Sequence, residues 1–416
     1  MNEKKLNVIV INDFANINGG AAKVAIDTAI GLSYQNVDVH YFCAVGMVDN
    51  SLLTAPLKSI NHMEQQELLY ADNKIKALLD GIWNKSAKDS LSQFLDKFDN
   101  RNTIVHVHGW IKSLSSSVLH VAVRKKFPVV ISLHDFFIYC PNGGFYNFPQ
   151  KKICHKTPLS ISCILSHCDS RNYAFKLYRV IRNSVQRLVI SSYKKHINLI
   201  ALSRLSHEVL TPYIKDFKQT FFIENPIDTQ LIPKVEVKNN RHCVFIGRLS
   251  PEKGVLYFCE ALKLLGVTKA IVIGEGNERA ELEKLYPFCK FLGWQSKDQI
   301  KEILKTSRFL VFPSIWYETY GLVVQEAASY GIPCIVSDCS AASELIANDE
   351  NGLIFKGSDV LHLSQCIDNL IKDDERVSRL GETAYKRFWM KDHSISKYAL
   401  QLKEAYVQML NANYNS

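Results

Sequence analysis

Two carboxylates, Glu318 and Glu326, stand eight residues apart in Glu318-Thr-Tyr-Gly-Leu-Val-Val-Gln-Glu326, ahead of Ala-Ala-Ser-Tyr-Gly-Ile-Pro333. On an α-helix that spacing is just over two turns, so such groups can share a face. The Gly-x-Pro break closes a small-residue helix, which places Glu318 in the loop before it and Tyr320-Gly321 at its N-terminus. That helix end offers unpaired N–H groups and a positive dipole to phosphate or sugar oxygens. Glu326, further into the helix, is placed to accept from a diol such as ribose. One segment could hold both ends of a nucleotide sugar.

Other candidates sit where strands end. Gly247-Arg248-Leu-Ser-Pro-Glu-Lys253-Gly follows an apolar run and opens a helix, bringing Arg248 and Lys253 over a strand's carboxyl edge. Two cations beside a helix N-terminus suit a diphosphate that gains charge as its bond to a sugar breaks. Gly274-Glu275-Gly276 follows another strand but lacks the third glycine of a dinucleotide fingerprint, so a plain tight turn accounts for it equally. Asn18-Gly19-Gly20 lies between the first strand and first helix and permits close backbone approach to a ligand. His134-Asp135 closes a further strand, where a histidine can bind a hydroxyl, move a proton or serve a structural role. His106 and His108 alternate on one strand face and are expected to wall the cleft. Cys140, Cys154, Cys163 and Cys168 fall within 29 residues. Four thiols could clip a structural Zn²⁺, although the Cys-x-x-Cys knuckle is missing and free thiols remain the alternative.

These residues need a scaffold with ligand-facing strand ends. Strand-like runs at Val8–Ile11, Val37–Phe42, Ile104–Val107, Val129–Leu133 and Ile197–Leu202 alternate with helical patterns such as Ala21–Leu32 and Ser113–Lys125. Continuous apolar strands separated by helices imply parallel βαβ units. Residues 140–195 interrupt that rhythm with an Asn-Gly-Gly turn, the cysteines and a basic helical stretch from Ala174 to about Lys195. A second series follows: strands Cys243–Ile246, Ala270–Ile273, Phe309–Phe312 and Cys334–Val336, with helices Lys253–Leu265 and Glu278–Leu285. The two-proline segment Asn225–Pro233 reads as a connection between domains. The expected division is therefore a first domain over 1–225 carrying an insertion at about 140–195, a linker over 226–240 and a second domain over 241–390. A C-terminal helix over 391–416 would pack back on the first domain.

A chain of 416 residues exceeds one ordinary core, and 47% hydrophobic with 22% charged residues describes a normal globular composition. The N-terminus runs directly into a strand-like segment with no apolar signal region, and no stretch approaches the ~18 apolar residues of a spanning helix. A cytoplasmic location is expected, and eleven cysteines there imply reduced thiols. The net charge of +9 is local: residues 101–200 alone hold 15 basic and 2 acidic residues. No nucleic-acid partner is expected. The basic region either meets an anionic membrane surface or is simply solvated.

Together these motifs resemble glycosyltransferase family 4, retaining enzymes of the GT-B fold. Gly247-Arg248…Lys253-Gly254, Gly274-Glu275-Gly276, Phe291-Leu-Gly-Trp294, Pro313-Ser314 and Glu318…Glu326 occur in the family's order. The resemblance implies an α/β protein with two Rossmann-like domains facing across a deep cleft. It implies that Arg248 and Lys253 bind a donor diphosphate, and that Glu326 holds ribose. Glu318 and the backbone of Tyr320, Gly321 and Leu322 would hold the transferred sugar. Gly19 and Gly20 would close over the phosphate, Glu275 would line the donor site, Trp294 would border the base and His134 would stand beside the reacting centre. The family commonly has Gly or Ser and then Phe after the first Glu; Thr319-Tyr320 departs from this and leaves donor identity open. His134-Asp-Phe-Phe-Ile-Tyr-Cys140-Pro-Asn-Gly-Gly and Cys168-Asp-Ser-Arg171-Asn look like a subgroup of bacterial cell-surface polysaccharide and lipopolysaccharide transferases.

The implied reaction moves a sugar, with retention, from a UDP- or GDP-sugar to an acceptor hydroxyl on a glycan or lipid-linked glycan, at the inner face of the cytoplasmic membrane. No Asp-x-Asp clamp occurs in the sequence, so no catalytic cofactor is expected and charge neutralisation falls to Arg248, Lys253 and backbone dipoles. A nucleotide-sugar epimerase, a phosphorylase or a non-catalytic scaffold would share the architecture. Release of nucleoside diphosphate on transfer to an added acceptor separates these readings.

Overall fold

The computed structural model describes residues 5–414. In the first half, strands β1 (Asn7–Phe14), β2 (Asp38–Val45), β3 (Ser59–His62), β4 (Thr103–Val107) and β5 (Val129–Ser132) precede a two-stranded hairpin, β6 (Tyr146–Asn147) and β7 (Lys152–Ile153). Then come β8 (Ile197–Ala201) and β9 (Gln219–Phe222). Except for the hairpin they form one parallel sheet in the order β3-β2-β1-β4-β5-β8-β9. The strand order reverses direction between β1 and β4, a topological switch point where open α/β sheets bind ligands at their carboxyl ends.

The second half contains β10 (His242–Ile246), β11 (Ala270–Ile273), β12 (Cys289–Gly293), β13 (Ser307–Phe312), β14 (Cys334–Ser337) and β15 (Gly352–Phe355). They form a parallel sheet in the order β12-β11-β10-β13-β14-β15, with its own switch point between β10 and β13.

Alternation along β1 explains why the strands read as continuous apolar runs. Ile9 and Ile11 enter the core on one face of the sheet, while Val8 and Val10 enter a second core on the other. Both faces are covered, as parallel sheets require. Helix Gly20–Ser33 covers the second face together with helix Ile395–Tyr414. The latter buries Tyr398, Leu402, Tyr406 and Met409 in that core, and Tyr398 and Thr28 hydroxyls meet at 3.1 Å. The chain thus crosses back to the first sheet after completing the second. Among the described residues no helix is long and apolar enough to cross a membrane.

Two differences from the sequence expectation are local. The helix expected from Lys253 starts at Val255, because Pro251–Lys253 forms a 3-10 turn and Gly254 is left-handed, with φ of 72°. The helix expected over Ser113–Lys125 spans Ser117–Arg124, because Asp13 captures the N–H groups of Lys112, Ser113 and Leu114 at 2.8, 2.9 and 2.9 Å and holds them as a loop.

Candidate active site

Four contacts mark where the domains face each other. A Cβ placed on Gly20, just after β1, would lie 3.4 Å from Leu322 Cδ1, and one on Gly144 would lie 2.9 Å from the Trp316 ring. Thr319 Oγ1 donates to the His134 carbonyl at 2.9 Å. Lys151, in the hairpin of the insertion, approaches Glu278 at 4.0 Å. The cleft is therefore bounded by loops that follow the carboxyl ends of β1, β5, β11 and β13.

On the second domain, the loops after β10 and β11 approach each other closely. A Cβ on Gly274, whose φ is 133°, would sit 1.9 Å from the Gly247 carbonyl. Only glycine lets the β11 loop pass so near the β10 loop that carries Arg248. The Arg248 guanidinium donates to Ser250 Oγ at 3.1 Å and pairs with Glu252. Glu252 is fully buried and also accepts from Ser250 Oγ at 2.8 Å, whereas the Arg248 side chain stays 61% exposed. One edge of the guanidinium is anchored and the rest is free. Glu252 was not singled out from the sequence, although Arg and Glu four apart at a helix start were a readable signal.

Lys253 pairs with Glu318 at 2.5 Å, and its ammonium lies 5.3 Å from the centre of the Trp316 ring. Glu318 Oε2 also accepts from Trp316 Nε1 at 3.0 Å and Ser314 Oγ at 3.3 Å. All three donors use the same oxygen. Trp316 is a further residue that sequence reasoning passed over, since a lone tryptophan carries no motif. Helix Leu322–Ser329 starts directly after, with Gly321 at its N-cap and no side-chain cap. The N–H groups of Leu322 and Val323 donate to no group among the described residues.

Glu326 sits one helical step of four from Leu322 on this helix. Burial raises its pKa, opposed by Lys23 and Lys297 and reinforced by Asp228 and Asp27. Its carboxylate has no hydrogen-bond partner among the described residues. Lys23 pairs with Asp27 at 2.6 Å and Lys297 pairs with Asp228, so Glu326 is flanked by two compensated pairs from the first helix and the interdomain segment. Glu275 pairs with Arg279 and accepts from the Trp294 N–H at 3.3 Å, while the Trp294 side chain is left in solvent. Gly19 is the N-cap of helix Gly20–Ser33.

On the first domain, His134 Nε2 lies 2.8 Å from His108 Nδ1, with the two rings stacked 5.1 Å apart. Burial pushes the His134 pKa down to about 4, so the imidazole is neutral at physiological pH. Asp135 is held the other way: burial lifts its pKa to about 6, against the Phe137 N–H and the Lys112 and Arg182 charges.

Two expectations are corrected. His106 does not wall the cleft; it is fully buried, with Nδ1 2.6 Å from the Tyr406 hydroxyl and Nε2 2.8 Å from Ser132 Oγ, tying β4 to β5 and the C-terminal helix. Only the backbone of Tyr320 is expected at the sugar, and its side chain turns away from Glu318. It packs into the first domain's core and lines an interdomain cavity of about 860 Å³ on the far side of helix Leu322–Ser329, where its hydroxyl has no partner. Arg248, Lys253 and Glu318 do not line this cavity.

The second correction concerns zinc. Cys140, Cys154, Cys163 and Cys168 are free thiols, and among the described residues no three His, Cys, Asp or Glu side chains are arranged to hold a metal ion. The thiols instead take protein partners. Cys140 Sγ donates to Asn142 Oδ1 at 3.1 Å, Asn142 Nδ2 lies 3.4 Å from Cys168 Sγ, and the buried Lys176 ammonium lies 3.5 Å from Cys163 Sγ. Burial also lifts the Cys140 pKa to about 11, against the thiolate that zinc requires.

Two parallel Rossmann-like domains joined across a cleft, with cations and a helix N-terminus on the second, define the GT-B class of nucleotide-sugar proteins. Residues 227–387, less than half of the chain, match the model of the family described as Glycosyl transferases group 1. UDP-Gal:alpha-D-GlcNAc-diphosphoundecaprenol alpha-1,3-galactosyltransferase of Escherichia coli is 28% identical over 187 residues, 42% of this chain and 47% of that protein. The match thus spans about half the length of that relative. In fold, sucrose-phosphate synthase from Thermosynechococcus elongatus superposes with a TM-score of 0.72 at 15% identity, over 98% of this chain and 100% of that one. Anabaena HepE in complex with UDP-glucose gives a TM-score of 0.67 at 17% identity, over 97% and 100%.

Proposed function

We propose that the chain is a retaining glycosyltransferase that moves a sugar from a nucleoside diphosphate sugar to an acceptor hydroxyl. The observation that carries this reading is the convergence of Arg248, the Lys253–Glu318 pair and the free N–H groups of Leu322 and Val323 at one cleft wall. Arg248, Lys253 and the helix N-terminus would meet the negative charge that grows on the β-phosphate as the glycosidic C–O bond lengthens. Glu318 and the backbone of Tyr320, Gly321 and Leu322 would hold the sugar, and Glu326 the ribose hydroxyls. Trp294 and Glu275 would border the base, and Gly19 and Gly20 would close from the opposite domain. Neutral His134, placed by His108, would accept a hydrogen bond from, or donate one to, a sugar hydroxyl. The acceptor's proton would pass to the departing phosphate oxygen on the same face. Closure of the cleft, pinned by Thr319 against His134, excludes water that would hydrolyse the donor.

In this reading residues 1–225 form the acceptor-side domain, 226–240 the linker and 241–390 the donor domain, with 391–416 returning to the first. The HepE structure holds UDP-glucose, which supports a UDP-sugar donor, with a GDP-sugar as the second candidate. The Escherichia coli relative's acceptor is a lipid-linked diphospho-sugar, which supports a lipid-linked glycan of surface polysaccharide synthesis made at the inner membrane face. A panel of nucleotide sugars incubated with lipid-linked and free glycan acceptors tests this. Release of nucleoside diphosphate together with a heavier acceptor is expected. Free sugar phosphate or an epimerised donor in place of a product would refute transfer.

A further inference from the structure

Helix Lys74–Ile82 presents an apolar stripe to solvent. Ile75, Leu78 and Leu79 have the helical spacing of a core-facing side, yet 73%, 49% and 62% of their surface is exposed. Beside it lies helix Tyr173–Tyr193, whose Tyr178 hydroxyl donates to the Leu78 carbonyl at 3.2 Å. Between the two helices runs a groove of about 380 Å³ with mainly apolar walls, among them Leu68, Phe137 and Phe175.

The same groove is lined by Lys74, Lys112, Arg171, Arg179 and Arg182. Arg179 pairs with buried Asp169 at 3.0 Å. Among the described residues, the other four have no carboxylate within ion-pair reach. They lean on neutral groups: Arg182 Nη1 on the Ile111 carbonyl at 3.4 Å, Lys74 on the Leu69 carbonyl at 3.1 Å, and Arg171 on the Phe175 ring at 4.6 Å. Burial and then the Arg179 charge push the Arg182 pKa down to about 10, and the same two causes lower that of Lys112. Like charges gathered in an apolar groove are costly unless an anion enters to compensate them.

We propose that this groove receives the diphosphate head of a lipid-linked acceptor, with its hydrocarbon chain lying along the exposed stripe of helix Lys74–Ile82. The inference rests on the transferase reading and gives its lipid-linked acceptor a binding site. Concavity favours one multiply charged head over a bilayer's dispersed headgroups, which an open basic face would serve as well. Position favours an acceptor as well. Phe137, under the Arg182 guanidinium at 5.5 Å, follows Asp135 by two residues and His134 by three, and the segment continues to Gly144 against Trp316 of the Lys253–Glu318 site. A glycan leaving the groove along this segment reaches the cleft.

Flotation of the full chain with phosphatidylcholine vesicles carrying farnesyl diphosphate tests the assignment, beside plain phosphatidylcholine and phosphatidylglycerol vesicles. The diphosphate vesicles are expected to retain the protein and inorganic pyrophosphate to compete. Lys112→Ala and Arg182→Gln should each weaken retention by about tenfold or more. Leu79→Ser should weaken it too, and it changes an exposed side chain that the fold does not need. Equal retention on phosphatidylglycerol, or unchanged retention in both cation variants, would overturn the proposal. Binding of UDP or GDP, measured on the same variants, is expected to stay at the wild-type level. Because flotation needs no turnover, absence of sugar transfer by a protein that floats and binds nucleotide would count against the transferase reading alone.

Discussion

Replacing Lys253 by Met keeps the aliphatic length of the side chain and removes its charge. At rest Lys253 is bound to Glu318 at 2.5 Å, with 19% and 18% of the two side chains exposed, so the pair is neither a surface decoration nor fully buried. Its loss to stability is therefore modest, about 1 kcal/mol, and Glu318 keeps the Trp316 and Ser314 donors. The effect on the reaction is larger. Removing one preorganised donor from developing oxyanion charge costs about 10²–10³ in kcat, roughly 2.7–4 kcal/mol. Ground-state binding of nucleoside diphosphate should fall less, by about tenfold, because Arg248 and the helix N-terminus remain. The expected pattern is a thermal midpoint within a few degrees of wild type, a modest loss of nucleotide affinity and a collapse of turnover, read as nucleoside diphosphate release from a nucleotide sugar. Lys253→Arg should recover part of it. Turnover within about threefold of wild type for Lys253→Met would refute the assignment of Lys253 to the leaving phosphate.

The buried histidines predict acid sensitivity. Burial first, then the neighbouring imidazoles, hold the pKa of His106 at about 3 and that of His108 well below its ordinary value. The unfolded chain therefore protonates first as pH falls from about 6.5, and stability present above that pH is lost on the way down, by on the order of 2 kcal/mol per histidine at pH 5. Thermal midpoints should drop between pH 7 and pH 5, and His108→Asn should flatten the drop; a pH-independent midpoint in the wild type would contradict the buried neutral state. Thr319→Val removes the hydrogen bond to the His134 carbonyl without changing shape, for about 1 kcal/mol, so a roughly fivefold rise in donor KM is expected, and an unchanged KM would deny the bond a part in closure. Gly274→Ala forces a Cβ to within 1.9 Å of the Gly247 carbonyl, and should cost more than about 2 kcal/mol in thermal or denaturant unfolding; an unshifted midpoint would show that the β10 and β11 loops are not so close.

Within the two parallel sheets, the strands that apolar patterning missed are β3, β9, β12 and β15, and these are the sheets' edges. A central parallel strand is covered on both faces and shows a continuous apolar run. β3, Ser59-Ile-Asn-His62, is only half-buried throughout, and β9 is exposed at both ends, so neither needs that composition. The candidate site divides in the same way. Residues carried by one loop, such as Arg248, Lys253 and Glu318, were legible because their spacing relative to a strand end dictates their position. Partners brought by the fold were not: Thr319 meets His134 from 185 residues away. The cysteine spacing misled because it says nothing of what fills the space between thiols, which here is the Asn142 amide and the Lys176 ammonium.

Both candidate phosphate-binding cations are held by a carboxylate, but the two carboxylates differ in kind. Glu252 is fully buried and bonded to Ser250, and its only evident task is to orient Arg248, most of which stays free. Glu318 is partly exposed, and on the proposed assignment it must also take hydroxyls of the sugar. A donor sugar that engages Glu318 would therefore loosen its hold on Lys253 at the moment the diphosphate arrives beside it. A nucleoside diphosphate without a sugar has no group to offer Glu318 and must compete with the intact pair for Lys253. Arg248 would then bind any diphosphate, while the full cationic pair becomes available only to one that carries a sugar, so that the charge needed for leaving-group departure is coupled to occupancy of the sugar site.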